Sequence, residues 1–543
     1  MLLFFQKKKC FSCLVFARMK PFADLLERLL YTQGRNAKIA LLADYFATRP
    51  DPERGYALAA IAGKLDFPGA KPAVLRALVA TRADPELFAL SYDYVGDLAE
   101  AIALIWPKAE VESPPELPSV VDQLRRTPRE AIPALIATWL DASDVSTRIA
   151  LIKLITGGLR VGASLRLAKL ALAQRFGVEV DAIEEIWHGL LPPYPTLFDW
   201  LERRTARPDP GTTPVFRPPM LAHPIEDTDR AGLDWSAYRA EWKWDGIRVQ
   251  LVATPGGKRL YSRGADDISA SFPEILAAME FNAVLDGELL VIRDGVVAPF
   301  ADLQQRLNRK IVSAKARAEY PVAVRLYDML FDGAADLRGL PFDQRRARLE
   351  AWFAATTPAR MDISPQIDFE TEADLAGLRA SARDDGIEGL MLKAAASPYL
   401  AGRPKGYWWK WKRDPLSLDC VLMYAQRGHG RRSSFYSDYT FGVWTEEGRL
   451  VPIGKAYSGY TDAELLVLDK WIRSHTTATY GPVREVEPGI VLEIGFDAAQ
   501  RSSRHKSGIA LRFPRILRLR LDKPVAEADR LETATRLIGA AAV

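Results

Sequence analysis

The 543-residue chain is predicted to be multidomain: an all-α part, then a mixed α/β part, then a small β-barrel. Three observations predict this. Apolar residues recur at helical spacing from Met19 to about Asp199. Prolines then crowd the stretch from Pro192 to Pro224. Beyond it come short alternating runs of the kind that form half-buried strands. So long a chain also exceeds what one hydrophobic core supports, and roughly three or four domains are expected.

The helical part is placed at 19–205. It opens with MKPFADLLERLL, an amphipathic stretch, and continues through AKIALLADYFA, PAVLRALVA, AIPALIATWL and STRIALIKLI. Pro and Asp clusters such as TRPDPERG and ESPPELPS punctuate it. Within it, KLITGGLRVGASLRLAKLALA sets a Gly-Gly break beside Arg160, Gly162 and Ser164 at a helix start. Free backbone N–H groups there would offer a phosphate a seat, although an ordinary helix–turn–helix with packing glycines fits the same letters.

Residues 1–18, MLLFFQKKKCFSCLVFAR, are expected to be an unstructured extension. Lysines interrupt its apolar runs, which are too short to span a membrane and unlike a signal peptide. The three cysteines, Cys10, Cys13 and Cys420, make neither a disulfide framework nor a four-cysteine zinc site. A reducing, cytoplasmic setting is expected, at the nucleoid if the source is bacterial.

The proline-rich stretch reads as a linker of extended backbone. Residues 206–413 then hold the strand runs YRAEWKWDGIRVQLVA, KRLYSRG, AVLDGELLVIRDG and VAVRLYDMLFDG, with LPFDQRRARLEAWFA and EADLAGLRASAR as helices between them. Residues 414–543 carry more strands and one helix, TDAELLVLDKWIRSH, and should form the barrel and a C-terminal tail.

The net charge of +4 says little about partners. Absences say more. The sequence has no G-x-x-x-x-G-K-[ST] phosphate loop, no G-x-G-x-x-G after a strand and no H-E-x-x-H, so any nucleotide is held without a standard phosphate loop. What remains is a series of cations and carboxylates on strands or at their ends. Lys243 stands between two tryptophans in AEWKWDGIRVQL, where a half-buried lysine is costly unless something uses it. LDGELL offers Asp286 and Glu288 on one strand face, DGIEGLMLK offers Glu388 and Lys393, and GYWWKWKR offers Lys410 and Lys412, again on one face. SRG offers Arg263, and RLYDMLFDG sets Tyr327 beside Asp328.

Such a set suits phosphoryl chemistry. A lysine attacks phosphorus only as the neutral amine, a form that cations such as Lys410 and Lys412 favour in a partly dry pocket. Carboxylates could hold Mg²⁺, an aromatic ring could stack a base, and further cations could stabilise a departing diphosphate.

EWKWDGIR resembles the K-x-D-G-x-R motif of the covalent nucleotidyltransferases, the polynucleotide ligases and RNA-capping enzymes. SRG, DGE, YDMLFDG, EGLMLK, KWK and RFPRILRLRLDK follow in that superfamily's order, over about residues 214 to 523. The helical segment with GGLRVG is similar to the DNA-binding domain of ATP-dependent DNA ligases. The resemblance implies a helical DNA-binding domain, an adenylation domain over 206–413 and an OB-fold domain over 414–543. It implies Lys243 as the residue that takes AMP, Glu241 and Tyr327 as adenine contacts, Arg248 and Arg263 on phosphate or sugar, and Glu288 and Glu388 on ribose or metal. Lys410 and Lys412 would meet the α-phosphate, while Arg520, Asp522 and Lys523 would orient the leaving pyrophosphate. Trp244 and Trp411 depart from the smaller residues expected at their positions, and the stacking residue is Tyr where Phe is expected.

The family comparison implies ATP as co-substrate, Mg²⁺, nicked duplex DNA as partner and a monomeric state without membrane attachment. Three cysteines cannot supply the zinc module of an NAD-dependent ligase, and a capping enzyme would lack the helical domain. The competing readings are a catalytically silent nick-binding clamp and an RNA ligase or capping-type transferase. DNA contact is expected at Arg160, at Arg427, Arg431 and Arg432 in a Gly-rich loop, and along QRSSRHKSGIALRFPRILRLRLDK, which carries eight Lys/Arg against one Asp.

Overall fold

The computed structural model describes residues 19–107, 113–307, 309, 311–381, 386–427 and 435–538. The extension 1–18 and the pair Arg431 and Arg432 lie outside them. The chain divides into two compact units, Met1–Pro210 and Gly211–Val543.

Among its described residues the first unit holds α-helices and no strand, from Lys20–Tyr31 to Pro195–Leu201. The predicted helical runs form helices because their apolar faces meet in one core, to which Phe22, Leu42, Leu58, Leu117, Leu151 and Phe198 each contribute a buried side chain. Asp84, Asp97, Asp144 and Ser164 each accept backbone N–H bonds at a helix start, satisfying donors that would otherwise be orphaned. One expectation is corrected. The proline-rich stretch is not extended throughout, because Pro195–Leu201 is a helix. Pro195 sits in the first turn, where its missing N–H has no helical partner to lose, and Leu197, Phe198 and Leu201 anchor the helix in the core.

The second unit begins with twelve strands. They are β1 (His223–Pro224), β2 (Tyr238–Trp244), β3 (Ile247–Thr254), β4 (Gly257–Ser262), β5 (Ala283–Arg293) and β6 (Val296–Val297). They continue with β7 (Val322–Asp332), β8 (Ala335–Asp336), β9 (Met361–Ile363), β10 (Gln366–Ile367), β11 (Ile387–Ala394) and β12 (Trp408–Lys412). Two sheets result. One has the order β1-β12-β11-β2-β10; the other has the path β4-β3-β5-β7-β8, with β6 on β5 and β9 on β7. The turn at Asp245-Gly246 therefore makes no hairpin. It passes the chain from the first sheet to the second, and the helices Phe342–Thr356 and Glu372–Ser381 fall between strands as predicted.

The C-terminal part forms β13 (Leu416–Arg427), β14 (Tyr436–Trp444), β15 (Leu450–Ala456), β16 (Thr476–Tyr480), β17 (Val483–Val486), β18 (Val491–Phe496), β19 (Ala498–Arg501), β20 (Ile509–Arg512) and β21 (Arg515–Arg520). The long strand β13 pairs with β14 on one side, and with β18 and then β17 on the other. β15 extends β14, and β21 extends β18. The segment that follows β15 meets β21 where Ile516 N donates to Ser458 O at 3.0 Å. Gly459 permits the approach: its φ is +99°, and a Cβ there would lie 2.1 Å from Ile516 O. The predicted small barrel is thus a curled antiparallel sheet, with the ribbon β19–β20 attached.

Candidate active site

A cavity of about 480 Å³ is lined by residues of both sheets and by Arg512 and Phe513 of the C-terminal part. Lys243, next to last in β2, has a side chain 22 % exposed, and its Nζ donates to Glu388 Oε2. Glu388 reaches it through an irregularity in the β2–β11 ladder. Ile387 pairs with Trp244 and Gly389 with Lys243, so Glu388 is the extra residue of a bulge. Gly389 is required there, with φ +141° and a virtual Cβ 2.2 Å from Trp411 O. Burial pushes the Glu388 carboxyl up, but the charge and hydrogen bond of Lys243, aided by Lys412, bring it down to about 2.

Directly across β3 and β5, Arg248 pairs with Glu288 in register. Its guanidinium donates from Nε to Asp286 Oδ1 at 3.0 Å and from Nη1 to Met220 O at 2.7 Å. Nη2 reaches Asp286 Oδ2 and, at 3.1 Å, the Tyr399 hydroxyl. Asp286 and Glu288 do share a face, but their duties differ: Asp286 fixes Arg248, while Glu288 opens into the cavity. Burial, reinforced by Glu388 and Asp286 against the pull of Lys243 and Arg248, raises the Glu288 carboxyl to about 8. The hard carboxylate oxygens of Glu288, facing the cavity, suit a cation such as Mg²⁺. Among the described residues no three His, Cys, Asp or Glu side chains form a metal-binding group. Any Mg²⁺ would therefore rest on one or two carboxylates and on phosphate oxygens.

Lys410 and Lys412 both line the cavity, whereas Trp411 between them does not. Trp411 is buried on the opposite face, with Arg230 and Arg379 at 4.9 and 5.0 Å from its ring. Burial, then Arg403, Lys243, Lys412 and Arg263, push the Lys410 ammonium down, so the expected cluster of cations is present. Trp244 lines the cavity while its indole Nε1 donates to Ser364 Oγ at 3.0 Å and Arg325 stacks at 4.1 Å. Its area is largely core. Arg263 lines the cavity from an exposed position after β4.

At the far end stand Tyr327 and Glu241. Glu241 is 2 % exposed and receives Lys393 Nζ at 2.7 Å and Arg346 Nη1 at 3.4 Å. Neither partner follows from the motif that places Glu241. Arg512 was also not singled out: its guanidinium grips both oxygens of Asp245, with Nη2–Oδ1 at 2.9 Å, across 267 residues of sequence. The only signal for it was the local basic run.

Other expected residues stand elsewhere. Arg520, Asp522 and Lys523 do not line the cavity. Arg520 Nη1 and Lys523 Nζ meet Asp419 Oδ2 at 3.1 and 2.8 Å, and Arg520 also pairs with Asp522 at 3.0 Å. Arg515 and Arg518 are tied to Asp497 and Glu493, so much of the basic run neutralises carboxylates of its own chain. Arg501, Arg504 and Lys506 form no ion pair among the described residues. Arg427 is exposed at the end of β13, 5.7 Å from the Tyr436 ring. Arg160 is exposed in the loop before Ser164, where Lys38 Nζ donates to Gly162 O at 3.1 Å.

A half-buried lysine on a bulged carboxylate, with two lysines of β12 and Arg512 lining the same cavity, is the equipment of a nucleotidyl-transferring enzyme. Residues 219–412 match the ATP dependent DNA ligase domain, and residues 432–523 match the ATP dependent DNA ligase C terminal region. A probable DNA ligase of Koribacter versatilis is 34 % identical over 96 % of each chain. DNA ligase 1 of Korarchaeum cryptofilum is 31 % identical over 95 % of this chain and 97 % of its own. The solved chain Pmar-Lig_Pre shares the fold, with a TM-score of 0.58 at 16 % identity over 92 % of this chain and 99 % of its own. The chain belongs to the ATP-dependent DNA ligase family.

Proposed function

We propose that this ligase seals nicks in duplex DNA from the cavity around Lys243, in three transfers of one AMP group. Lys243 Nζ attacks the α-phosphorus of ATP. An N–P bond forms and the P–O bond to pyrophosphate breaks; of the two protons the ammonium gives up on becoming the phosphoramidate N–H, one leaves along its hydrogen bond to Glu388 and the other passes to solvent. AMP then passes to the 5′-phosphate of the nick, and the 3′-hydroxyl displaces AMP to close the strand.

The observation that carries this reading is Lys243 within reach of Glu388 in a cavity that Lys410 and Lys412 also line. Those lysines would neutralise charge on the α-phosphate, with Arg263 and the remaining Nη1 proton of Arg248 on phosphate or sugar. Tyr327 would stack the adenine and Glu241 would accept from its amino group. Mg²⁺, held by Glu288 and Glu388, would offset phosphate charge. Arg520, Asp522 and Lys523 would act on pyrophosphate only with the barrel placed differently. Residues 19–205 would bind DNA through Arg160, and the barrel domain through Arg427, Arg431 and Arg432, giving salt-sensitive contact without sequence preference. We place the enzyme as a monomer, as its family suggests. Among the described residues no helix is long and apolar enough to cross a membrane. ATP and nicked DNA meet in the cytoplasm, where we place the enzyme.

The test is incubation with α-labelled ATP, GTP or NAD and Mg²⁺ without DNA, for wild type and Lys243→Ala. Label from ATP alone, retained on denatured protein and absent from Lys243→Ala, is the expected result. No label on folded protein that was not already adenylylated would overturn the proposal and leave a silent DNA clamp.

A further inference from the structure

We infer that Lys393 and Arg346 are positioning residues that set which nucleobase the cavity accepts, by holding Glu241 as a fixed carboxylate acceptor for the exocyclic amino group of adenine. The inference rests on the reading of Glu241 and Tyr327 as the base contacts.

Glu241 is held from two elements at once. Met391 of β11 pairs with Glu241 of β2, so Lys393, two residues on, is its diagonal neighbour on one sheet face and reaches Oε2 at 2.7 Å. Arg346 comes from the helix Phe342–Thr356 and reaches Oε1 at 3.4 Å; its Nη2 is itself fixed on Ser364 O at 2.7 Å. The carboxylate cannot rotate without giving up one of these cations.

Lys393 is costly to keep. It is 1 % exposed, and beyond Glu241 its ammonium faces aromatic rings: Tyr327 at 4.6 Å, Phe342 at 4.8 Å and Trp408 at 4.9 Å. An aliphatic side chain would fill the same space without the desolvation of a charge, so folding alone does not call for a lysine here. The charge does serve the base end of the cavity. A carboxylate only accepts hydrogen bonds, so a fixed one attracts an amino group at the base's six-position and repels a carbonyl there. A side chain free to turn or to donate would lose that discrimination. The same ammonium also braces the Tyr327 ring by a cation–π contact. Lys393 thus touches both groups assigned to the base, one from each sheet.

The experiment measures lysyl-AMP formation by the full chain with labelled ATP, inosine triphosphate and GTP. It uses wild type, Lys393→Met, Lys393→Arg, Glu241→Gln and the double variant Lys393→Met/Glu241→Gln. Lys393→Met should raise the KM for ATP about tenfold or more with less than about threefold change in kcat, the scale of one charge-assisted hydrogen bond. Its preference for ATP over inosine triphosphate should fall by a similar factor, and Lys393→Arg should recover most of both. An unchanged KM and preference in Lys393→Met, with both altered in Glu241→Gln, would overturn the inference and leave the base contacts standing. No change in Glu241→Gln would instead sink the base-contact reading, and the inference with it. If Lys393→Met does not fold, the double variant decides, since it removes both members of the buried pair. It should match Glu241→Gln alone, and a preference further reduced beyond that single variant would overturn the inference.

Discussion

Lys243 and Glu388 meet because the ladder between their strands slips by one residue: Glu388 has no partner opposite it, and its carboxylate turns onto the lysine ammonium. The bulge aims a residue 145 positions away in sequence at the nucleophile. The pairing sets a carboxylate against the lysine, within a cavity that Lys410 and Lys412 also line.

Glu388→Gln keeps the shape and removes the charge. Lysyl-AMP formation should slow by roughly 10- to 100-fold, the value of a hydrogen bond to a charged group. Single-turnover labelling with ATP measures it, and a rate within twofold of wild type would remove Glu388 from the first transfer.

Asp245 and Arg512 are joined through both carboxylate oxygens, with side chains 18 % and 21 % exposed. A double-mutant cycle of Asp245→Ala and Arg512→Ala should show coupling of about 1–3 kcal/mol in urea unfolding of the second unit. Additive losses would mean that the pair contributes nothing beyond its separate contacts.

Gly459→Ala should destabilise the barrel by about 2–4 kcal/mol, because the new methyl has nowhere to go and the positive φ penalises it further. A lowered calorimetric midpoint of the second unit is the measurement. A midpoint equal to that of wild type would show that the segment around Gly459 can part from β21 at no cost.

Glu288 carries a pH signature. Its carboxyl is raised from 4.5 to about 8, so the folded chain keeps a proton that the unfolded chain releases across that window. The folded state binds more protons, and this group's contribution to stability falls as pH rises from 4.5 to about 8. Without Mg²⁺, Glu288→Gln should gain on wild type by roughly 1–3 kcal/mol between pH 5 and pH 8, and no further above it. A gain that does not change with pH would count against burial as the cause.

Much of this was legible in the sequence. The helices followed from spacing, and Lys243, Glu388, Lys410 and Lys412 could be singled out because local strand alternation and motif order do not depend on distant partners. What escaped has a common physical origin. β2 leaves its neighbour β3 and joins another sheet by pairing with β10 and β11 far along the chain, which no local period encodes. Arg512 was one cation among eight until Asp245 selected it. Pro195 read as a helix breaker although proline is at home in a first helical turn. Lys393 was visible, but its partners come from four separate elements.

The distance along the chain between Lys243 and what completes its cavity has a consequence for synthesis. A ribosome releases Lys243 first, its carboxylate partner 145 residues later and Arg512 later still. A nascent chain therefore cannot close this cavity around a nucleotide before most of the second unit has emerged. Translation itself holds back the assembly of this cavity until the C-terminal strands have emerged.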